Sequence, residues 1–400
     1  MSEQRNFDVA IAGAGPAGTS AAIQLALNGA AVLLIEEKKF PRPKLCGEFI
    51  SPECVEHFQR LGVKDEMFNA GATSISETVF YSQHGKSVTV PSDWFKTGGT
   101  ALGLSRSEMD HKLLERARSL GVTILEETRA TDLLYEGERV LGIKVKSGEV
   151  TTEYFANVCL DATGRNRSLA RYGSVDRTKG RARFVAFKAH LENARVSPGA
   201  CEIYFYRGGY GGLNAVEAGA SNLCFIVSAN DVKRMGSDAD AVMREVVMSN
   251  ARAAYTLAES SLCSEWLSVS LETFGRQSLS PAPGLLTVGD AAAFIDPFSG
   301  SGMLMALESG QLAADVISRF RIFLRQGDAF DEVARQYQIE YVKKFQARLR
   351  ICGMLRRAAF VPYLAQAAIL FFGSSTLLRR KLARATRPSQ SHTPKAATGV

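Results

Sequence analysis

The feature that most constrains the fold of this chain is a glycine-rich turn close to its start. The turn has the pattern Gly13-x-Gly15-x-x-Gly18 and follows a short apolar run at residues 7–12. A helix-forming stretch comes next, and then a second apolar run at residues 31–35. The order strand, turn, helix, strand predicts a βαβ unit.

The three glycines of this turn suit a phosphate-binding backbone. Gly13 permits the tight turn, Gly15 lets a pyrophosphate approach the chain, and Gly18 lets the helix pack closely on the strand. The positive end of the helix then faces the phosphate charge. Glu36 ends the second apolar run, where a carboxylate can accept hydrogen bonds from ribose hydroxyls. The unit therefore predicts a bound dinucleotide, either FAD or NAD, and the residues predicted to contact it are Gly13, Gly15, Pro16, Ala17, Gly18, Glu36 and Glu37.

Length and residue counts limit the remaining possibilities. A chain of 400 residues exceeds most single cores, so two interlocked domains with a shared cleft are expected. Seven cysteines without a Cys-x-x-Cys pair and five scattered histidines argue against a disulfide framework and a metal site. The chain starts directly in a strand, without the apolar core of a signal peptide. It also has no apolar run of about 18 residues, so a cytoplasmic location without a membrane span is expected.

Basic residues are concentrated at the end of the chain. From Lys343 onwards there are 12 Lys and Arg residues and no Asp or Glu, which leaves 36 basic against 41 acidic residues in the preceding part. Within this basic part, residues 360–372 are strongly apolar but too few to span a bilayer. The combination favours peripheral contact with an anionic membrane, and the alternative is a solvated or packed helical face. No nucleic-acid partner is expected, because the basic part carries no recognised binding motif.

Two motifs far downstream separate FAD from NAD. Residues 285–290 form an apolar run that ends in Gly289-Asp290, and Pro297-x-x-Gly300-x-Gly302 follows. With these motifs the chain resembles a group of FAD-dependent enzymes that includes geranylgeranyl reductases, aromatic hydroxylases and flavin-dependent halogenases. The resemblance covers residues 7–324 and is weakest in the middle of that range.

The resemblance implies a role for each downstream residue. Asp290 would hold the ribityl chain, and the segment from Pro297 through Gly300 to Gly302 would pass under the isoalloxazine ring. The helix that starts near Gly302 and Met303 would direct its positive end at the flavin edge, where reduced flavin carries negative charge.

Two further segments resemble cofactor-binding parts of the same group. Asp161-Ala-Thr-Gly164 is similar to the group's Asp-Gly motif near the pyrophosphate, although two residues separate its Asp from its Gly. Arg106 matches the group's cofactor-contacting arginine ahead of a helix, and a guanidinium suits phosphate geometry. Taken alone, Arg106 would equally fit a surface charge.

The expected fold class is α/β, with a Rossmann-like FAD-binding domain of the glutathione-reductase type. A β-rich substrate domain is inserted into it, and a helical C-terminal extension follows. The FAD-binding domain is expected at residues 1–72, 97–180 and 272–325, the substrate domain at 73–96 and 181–271, the extension at 326–385, and a disordered tail at 386–400.

The segment Phe40-Pro-Arg-Pro-Lys-Leu-Cys46-Gly47-Glu48 points to the reacting side of the flavin. Bacterial geranylgeranyl reductases carry a similar segment, and halogenases carry Gly-Glu-Ser where this chain has Gly47-Glu48-Phe49. By this resemblance Cys46 is a candidate proton donor or substrate-positioning thiol, because a weak acid must protonate one carbon when hydride reaches the other. The alternative is a cysteine that packs as a small apolar side chain.

A glycine-rich stretch, residues 208–212, reads as a turn that approaches the flavin, with Tyr210 lining the substrate cleft. The alternative for this stretch is an ordinary hairpin turn.

The sequence therefore predicts an FAD-dependent oxidoreductase that receives electrons from NAD(P)H or another donor and acts on a small hydrophobic substrate. The leading reaction is reduction of carbon–carbon double bonds in a prenyl or polyketide-like lipid. An FAD-dependent monooxygenase that hydroxylates an aromatic or polyketide substrate with NAD(P)H and O2 is the alternative, since one fold serves both. Two other options are a halogenase, against which the missing Trp-x-Trp-x-Ile-Pro pattern speaks, and a non-catalytic prenyl-binding protein, against which the intact flavin motifs speak.

Overall fold

The computed structural model describes residues 6–95, 99–171, 183–271, 274–296, 300–325, 329–359, 362–373 and 375–385. The strands are β1 Asn6–Ala12, β2 Val32–Ile35, β3 Phe49–Ile50, β4 Thr73–Ile75, β5 Glu77–Tyr81, β6 Ser87–Pro91, β7 Ala101–Gly103, β8 Thr123–Leu125, β9 Arg129–Glu136, β10 Arg139–Ser147, β11 Val150–Asp161, β12 Phe184–Glu192, β13 Ala200–Tyr206, β14 Gly209–Ala215, β15 Ser221–Ser228, β16 Ser261–Leu262, β17 Leu267–Leu271, β18 Gly275–Arg276, β19 Leu285–Thr287 and β20 Ala293–Phe294. The helices are α1 Pro16–Leu27, α2 Pro52–Leu61, α3 Lys64–Asn69, α4 Arg106–Ser119, α5 Ala229–Arg234, α6 Ala239–Glu245, α7 Ala251–Leu257, α8 Gly302–Arg325, α9 Phe330–Ala359, α10 Pro362–Gly373 and α11 Thr376–Ala385.

The first sheet is built on the predicted βαβ unit. β1 lies between β2 and β11 and runs parallel to both, and α1 is the crossover from β1 to β2. The full order is β8-β2-β1-β11-β10-β9, with β19 also paired to β11. Every residue of β2 is buried, as expected for a parallel strand covered on both faces. The predicted α/β, Rossmann-like architecture is confirmed.

Helices α1 and α8 pack so closely on each other that glycine is required at their contact. A Cβ atom on Gly310 of α8 would lie 2.2 Å from the carbonyl oxygen of Ala17 in α1. Ser20 of α1 donates a hydrogen bond to the carbonyl oxygen of Leu307 at 3.1 Å, although 287 positions separate the two residues. Gly289 is also close to α1, because an added Cβ would lie 2.7 Å from the Cβ of Ala17. The contact therefore fixes the start of the chain against a segment near residue 300.

The second sheet is mostly antiparallel and presents two different faces. Its order is β16-β12-β15-β14-β13-β5-β6, with β17 also paired to β12, and only β13 and β5 run parallel. One face packs on α5, α6 and α7 through an apolar cluster that includes Phe187, Phe225 and Val242. The opposite face carries the alternate residues of the same strands and contacts Leu45 and Phe294.

The glycine-rich stretch at residues 208–212 corrects one expectation from the sequence. The tight turn is confined to Arg207 and Gly208, and β14 begins at Gly209. A Cβ on Gly209 would lie 1.9 Å from the carbonyl oxygen of Ile226. Glycine therefore permits close approach of neighbouring strands here, rather than reversal of the chain over the whole stretch.

The C-terminal helices pack against both sheets. Tyr337 on α9 is fully buried and donates a 2.8 Å hydrogen bond to the carbonyl oxygen of Thr287 in the first sheet. Ile369 on α10 is buried in the apolar cluster on the second face of the second sheet, opposite α5, α6 and α7. Within the described part of the chain, no helix combines the length and apolarity needed to cross a bilayer. The expected disordered tail, residues 386–400, lies outside the described residues.

Candidate active site

The glycine turn after β1 has the geometry of a phosphate-binding cradle. A Cβ on Gly13 would lie 2.4 Å from the carbonyl oxygen of Ala162, and one on Gly18 would lie 1.9 Å from the carbonyl oxygen of Gly13. These two glycines are needed for packing. Gly15 differs, because the nearest atom to its added Cβ is Nη2 of Arg106 at 3.9 Å. The space over Gly15, at the N-terminal end of α1 beside Pro16 and Ala17, is therefore open between a helix N-terminus and a guanidinium.

Glu36 lies beside this turn, at the end of β2. Its Oε2 accepts a 2.9 Å hydrogen bond from the N–H of Ala14, and its Oε1 accepts one from the N–H of Lys38 at 3.1 Å. The Arg42 guanidinium lies 3.3 Å from the same carboxylate. Glu37 is exposed, and its carboxylate makes a loose ion pair with Arg129 at 4.0 Å. Of the two acids predicted to bind ribose, Glu36 is the better placed.

Arg106 connects the cradle to the rest of the site. It is the first residue of α4, is buried, and forms two hydrogen bonds with the Asp110 carboxylate at 2.8 and 2.6 Å. Burial opposes the guanidinium charge, but the charge and hydrogen bonds of Asp110, with a smaller contribution from Cys46, outweigh it and raise the pKa of Arg106. The guanidinium is therefore a fixed cation facing the open space over Gly15.

Asp161 shapes its own loop rather than presenting a free carboxylate. It is fully buried and accepts hydrogen bonds from the N–H and hydroxyl of Thr163 and from the N–H groups of Leu169 and Ala170, at 2.6–3.2 Å. The loop holds Gly164 at a φ of +76°, with no atom within 4 Å of an added Cβ. Contact of Asp161 and Gly164 with the cofactor stays a prediction, and the geometry makes the backbone near Gly164 the available surface.

The Gly289-Asp290 pair lies just beyond β19, on the other side of α1. Gly289 donates a 2.9 Å hydrogen bond to the hydroxyl of Ser309. Asp290 is half-buried, and burial raises its pKa, against the opposing charges of Arg165, Arg106 and Lys44. Residues far apart in the sequence therefore bring their charges to one region.

The loop before α8 completes this side of the site. Gly300 has a φ of +58°, a conformation that favours glycine, and α8 begins at Gly302 with Met303 buried behind it. The N-terminus of α8 therefore follows Gly289-Asp290 closely along the chain, and its contact with the flavin stays a prediction. Pro297 lies outside the described residues.

Cys46 lies at the junction of the two sheets. Its side chain is half-buried, and its Sγ accepts a 3.5 Å hydrogen bond from the N–H of Glu48. Its carbonyl oxygen accepts a 3.1 Å hydrogen bond from Nδ2 of Asn222 in the second sheet. Two residues further on, the carboxylate of Glu48 accepts a hydrogen bond from the N–H of Arg106, so the loop that carries Cys46 lies against the start of α4. The structure therefore brings the candidate thiol next to the cationic wall of the cradle.

Glu48 is the main functional candidate that the sequence analysis missed. It is fully buried at a φ of +52°, and its carboxylate contacts Lys188 Nζ at 2.7 Å and His190 Nε2 at 2.6 Å. Oε1 also accepts a 2.9 Å hydrogen bond from the N–H of Arg106. Burial opposes ionisation of Glu48, but the hydrogen bond from His190 and the charge of Lys188 outweigh it, so the pKa of Glu48 is lowered.

A weak signal for this cluster was present in the sequence. Lys188 and His190 interrupt the otherwise apolar β12 at alternate positions, which places both on one face of a strand. Nothing local connects them with Glu48, 140 positions earlier. Among the described residues, no three or more His, Cys, Asp or Glu side chains are grouped as metal ligands would be.

Tyr210 joins the second sheet to the segment that precedes α8. It is buried, and its hydroxyl donates a hydrogen bond to Oδ1 of Asp296, the residue before Pro297. Tyr210 also belongs to a cluster of buried apolar residues on the face of the second sheet opposite α5, α6 and α7. Phe294 and Phe274 stack in this cluster with ring centroids 5.0 Å apart. An apolar cluster therefore borders the polar cluster around Glu48.

Known proteins share this sequence pattern over most of the chain. A family model described as an FAD binding domain matches residues 6–340. Digeranylgeranylglycerophospholipid reductase 2 of Methanopyrus kandleri is 26% identical over 350 residues, which cover 85% of this chain and 83% of the relative. Menaquinone reductase of Mycolicibacterium smegmatis is 28% identical over 326 residues, or 78% of this chain and 76% of the relative.

A solved structure with a similar fold is a geranylgeranyl bacteriochlorophyll reductase-like protein from Thermoplasma acidophilum. It superimposes with a TM-score of 0.79 and covers 96% of each chain, at 19% sequence identity. At this identity the likeness shows a shared fold.

Proposed function

Because this chain belongs to the FAD-binding domain family and is an FAD-dependent oxidoreductase, we propose that it reduces carbon–carbon double bonds of a prenyl-type lipid. One observation carries the proposal: the loop that carries Cys46 is hydrogen-bonded through Glu48 to the first residue of α4, beside the cradle, and its neighbour Leu45 packs on the apolar cluster of the second sheet. A reductase needs these three parts together, namely a bound flavin, a proton source and a water-poor surface for the substrate.

The residues of the cradle fit FAD. Gly15 leaves the space that a pyrophosphate needs, and Arg106 supplies a cation next to it. In this proposal Glu36 holds the adenosine ribose and Asp290 holds the ribityl chain. When bound, FAD supplies a hydride to one carbon of the double bond, after reduction by NAD(P)H or another donor.

Cys46 has the complementary task of protonating the second carbon. Its S–H proton moves to that carbon as the hydride arrives, so the alkene gains two hydrogens and a thiolate remains. The thiolate then regains its proton from solvent.

The proposed substrate class follows from the apolar cluster around Tyr210. Ile226, Phe205 and Phe80 belong to the same cluster on the second sheet. A prenyl chain matches such surroundings because it is apolar along its length. The relatives named above include a reductase of a digeranylgeranylglycerophospholipid and a menaquinone reductase, whose names both denote substrates with long apolar chains.

Peripheral membrane contact is part of this proposal, since such lipids reside in bilayers. On α10 and α11 the side chains of Leu370, Phe371 and Leu377 are exposed. Arg380 and Lys381 are exposed beside them. An apolar surface next to basic side chains fits the interface of an anionic membrane.

The product mass tests the reaction. The flavin-loaded enzyme is reduced by dithionite without oxygen and offered a geranylgeranyl glycerophospholipid. We expect a gain of two hydrogen atoms per reduced double bond. Cys263→Ala is the active control, because this side chain is exposed and the contact of Cys263 with His190 is made by its backbone N–H. A product that forms only in air and carries an added oxygen atom would instead identify a monooxygenase.

A further inference from the structure

Three strands of the second sheet form a polar row beneath the Cys46 loop, which we define as residues 46–48. In the strand register His190 of β12 pairs with Asn222 of β15, and Asn222 pairs with Asn214 of β14. Lys188 lies two positions from His190 and faces the same side. The alternate residues Phe187 and Leu191 of β12 face the helices on the opposite side of the sheet. A polar row on an otherwise apolar sheet needs a partner.

The Cys46 loop is that partner. Asn222 donates to the carbonyl oxygen of Cys46 at 3.1 Å, and Asn214 donates to the carbonyl oxygen of Glu48 at 3.5 Å. Lys188 and His190 bind the two oxygens of the Glu48 carboxylate. Four side chains from three strands therefore hold a loop of three residues.

The backbone of Glu48 shows that these contacts determine the loop conformation. A φ of +52° is rare for a residue with a side chain, and it persists only where surrounding contacts favour it. A carboxylate without solvent exposure is also costly unless it is paired, and here it is paired on both oxygens. Without Lys188 and His190, neither the charge nor the left-handed conformation at this position would be favoured.

The same carboxylate reaches the cradle. Its Oε1 accepts from the N–H of Arg106, the first residue of α4. Glu48 is thus bound at once to the second sheet and to the helix that carries the cationic wall of the flavin site. A displacement of Glu48 would alter the relative position of Cys46 and Arg106.

We propose that Lys188 and His190 are positioning residues that fix Cys46 for proton transfer by clamping Glu48. They contact neither flavin nor substrate in this scheme and act through the Cys46 loop. The inference rests on the proposed role of Cys46 as proton donor. What it adds is that the second sheet determines the position of the proton donor, besides bordering the substrate.

The test uses the flavin-loaded, full-length enzyme with Lys188→Met, which removes the cation and keeps an unbranched side chain. The matched control is Arg252→Met. Glu202 of β13 is another fully buried carboxylate of the same sheet, and its cationic partner is Arg252 of α7. Two quantities are measured: the alkylation rate of Cys46 by iodoacetamide, followed by peptide mass spectrometry with Cys263 as internal reference, and kcat with KM.

We expect Lys188→Met to change the Cys46 alkylation rate several-fold and to lower kcat by on the order of 100-fold, as a small misplacement of a reacting group does. KM should change little, and Arg252→Met should alter neither quantity at Cys46. Unchanged alkylation and unchanged kcat in folded, flavin-loaded Lys188→Met would overturn the proposal. Altered alkylation with normal kcat would overturn its catalytic part.

A second pair of variants keeps the test decisive if Lys188→Met does not fold. His190→Gln retains a hydrogen-bond donor toward Glu48 and should preserve kcat better than His190→Leu. Equal kcat in the two His190 variants would overturn the proposal. Failure of the proposed function is distinguishable, because Cys46→Ala would then turn over normally while Lys188→Met still changed Cys46 alkylation.

Discussion

The glycine cradle and the Glu48 clamp are two parts of one candidate site that are specified in opposite ways. The cradle is contiguous in the sequence, and its residues are defined by the space that a Cβ would occupy, as at Gly13 and Gly18. The clamp joins Glu48 to Lys188, 140 positions later, and is defined by the pairing of buried charges. Steric requirements leave a local pattern in a sequence, whereas a charge pair between distant strands leaves none.

The difference implies distinct consequences of substitution. A side chain added at Gly15 of the cradle excludes a ligand and need not disturb the fold, because the space there is open and the backbone angles suit any residue. Removal of one partner in the clamp leaves an unpaired buried charge, which affects stability and alignment together. The following experiments separate the two behaviours.

The largest effect is expected from Gly15→Val, which should abolish FAD binding. Gly15 has φ −72° and ψ −179°, angles that any residue adopts, so the fold should persist while the side chain fills the open space beside Arg106. The measurement is visible flavin absorbance per chain, with thermal unfolding as the check on folding. Asp290→Ala should lose FAD as well, and stoichiometric FAD in both variants would contradict the assignment of the cradle.

Cys46→Ala should come next, with turnover lowered by on the order of 100-fold or more, as expected when a general acid is removed. Its flavin content should be normal, because Ala keeps an apolar side chain at this half-buried position against the core. Steady-state rates with the preferred substrate, and the rate of flavin reduction by the donor, give the two readings. Near-normal turnover would make Cys46 a packing residue.

The pH dependence of stability probes the clamp alone. The pKa of Glu48 is lowered because, against the effect of burial, His190 and Lys188 stabilise its charge. Its contribution to stability is therefore present above the ordinary value of 4.5 and is lost as pH falls through the lower folded-state pKa. We expect Glu48→Gln to be less stable than the wild type at about pH 7, with the difference shrinking below about pH 4.

Urea unfolding of both proteins across this pH range measures that difference. Glu149→Gln is the control, because the side chain of Glu149 is 95% exposed and its removal should leave stability unchanged at every pH. If the difference in the free energy of unfolding between the wild type and Glu48→Gln did not change with pH, packing rather than charge would stabilise the clamp.

The smallest effect concerns a third region, where basic side chains face solvent on α11. Replacement of Arg380, Lys381 and Arg384 by Gln should weaken binding to phosphatidylglycerol vesicles by about 1 kcal/mol per side chain. Binding of the wild type should fall as salt rises, since the Debye length is about 10 Å at 0.1 M. Sedimentation with anionic and neutral vesicles measures this, and equal binding to both would exclude an electrostatic contribution.

The sequence predicted those parts of the site whose residues are close together in the chain. It did not predict the contacts between residues that only the fold brings together. The βαβ unit, Gly15 and the position of Glu36 followed from spacing and residue type. Lys188 and Asn222 were missed because a polar residue in a strand does not reveal its partner. The stretch at residues 208–212 was interpreted as a turn because glycine is usually depleted in strands. In the structure, the close approach of Ile226 requires a glycine at position 209, inside a strand.

The tight contact between α1 and α8 has a consequence for how the chain is made. α1 leaves the ribosome early, but the surface that covers its inner face, including Gly310 and Leu307, is synthesised much later. At about 5–20 residues per second, that interval is on the order of half a minute. During it the face of α1 that α8 will cover lacks its native partner, so this face is exposed to aggregation in the nascent chain. A variant that delays the packing of α8 on α1 should therefore lower the yield of folded protein more strongly than it lowers the free energy of unfolding.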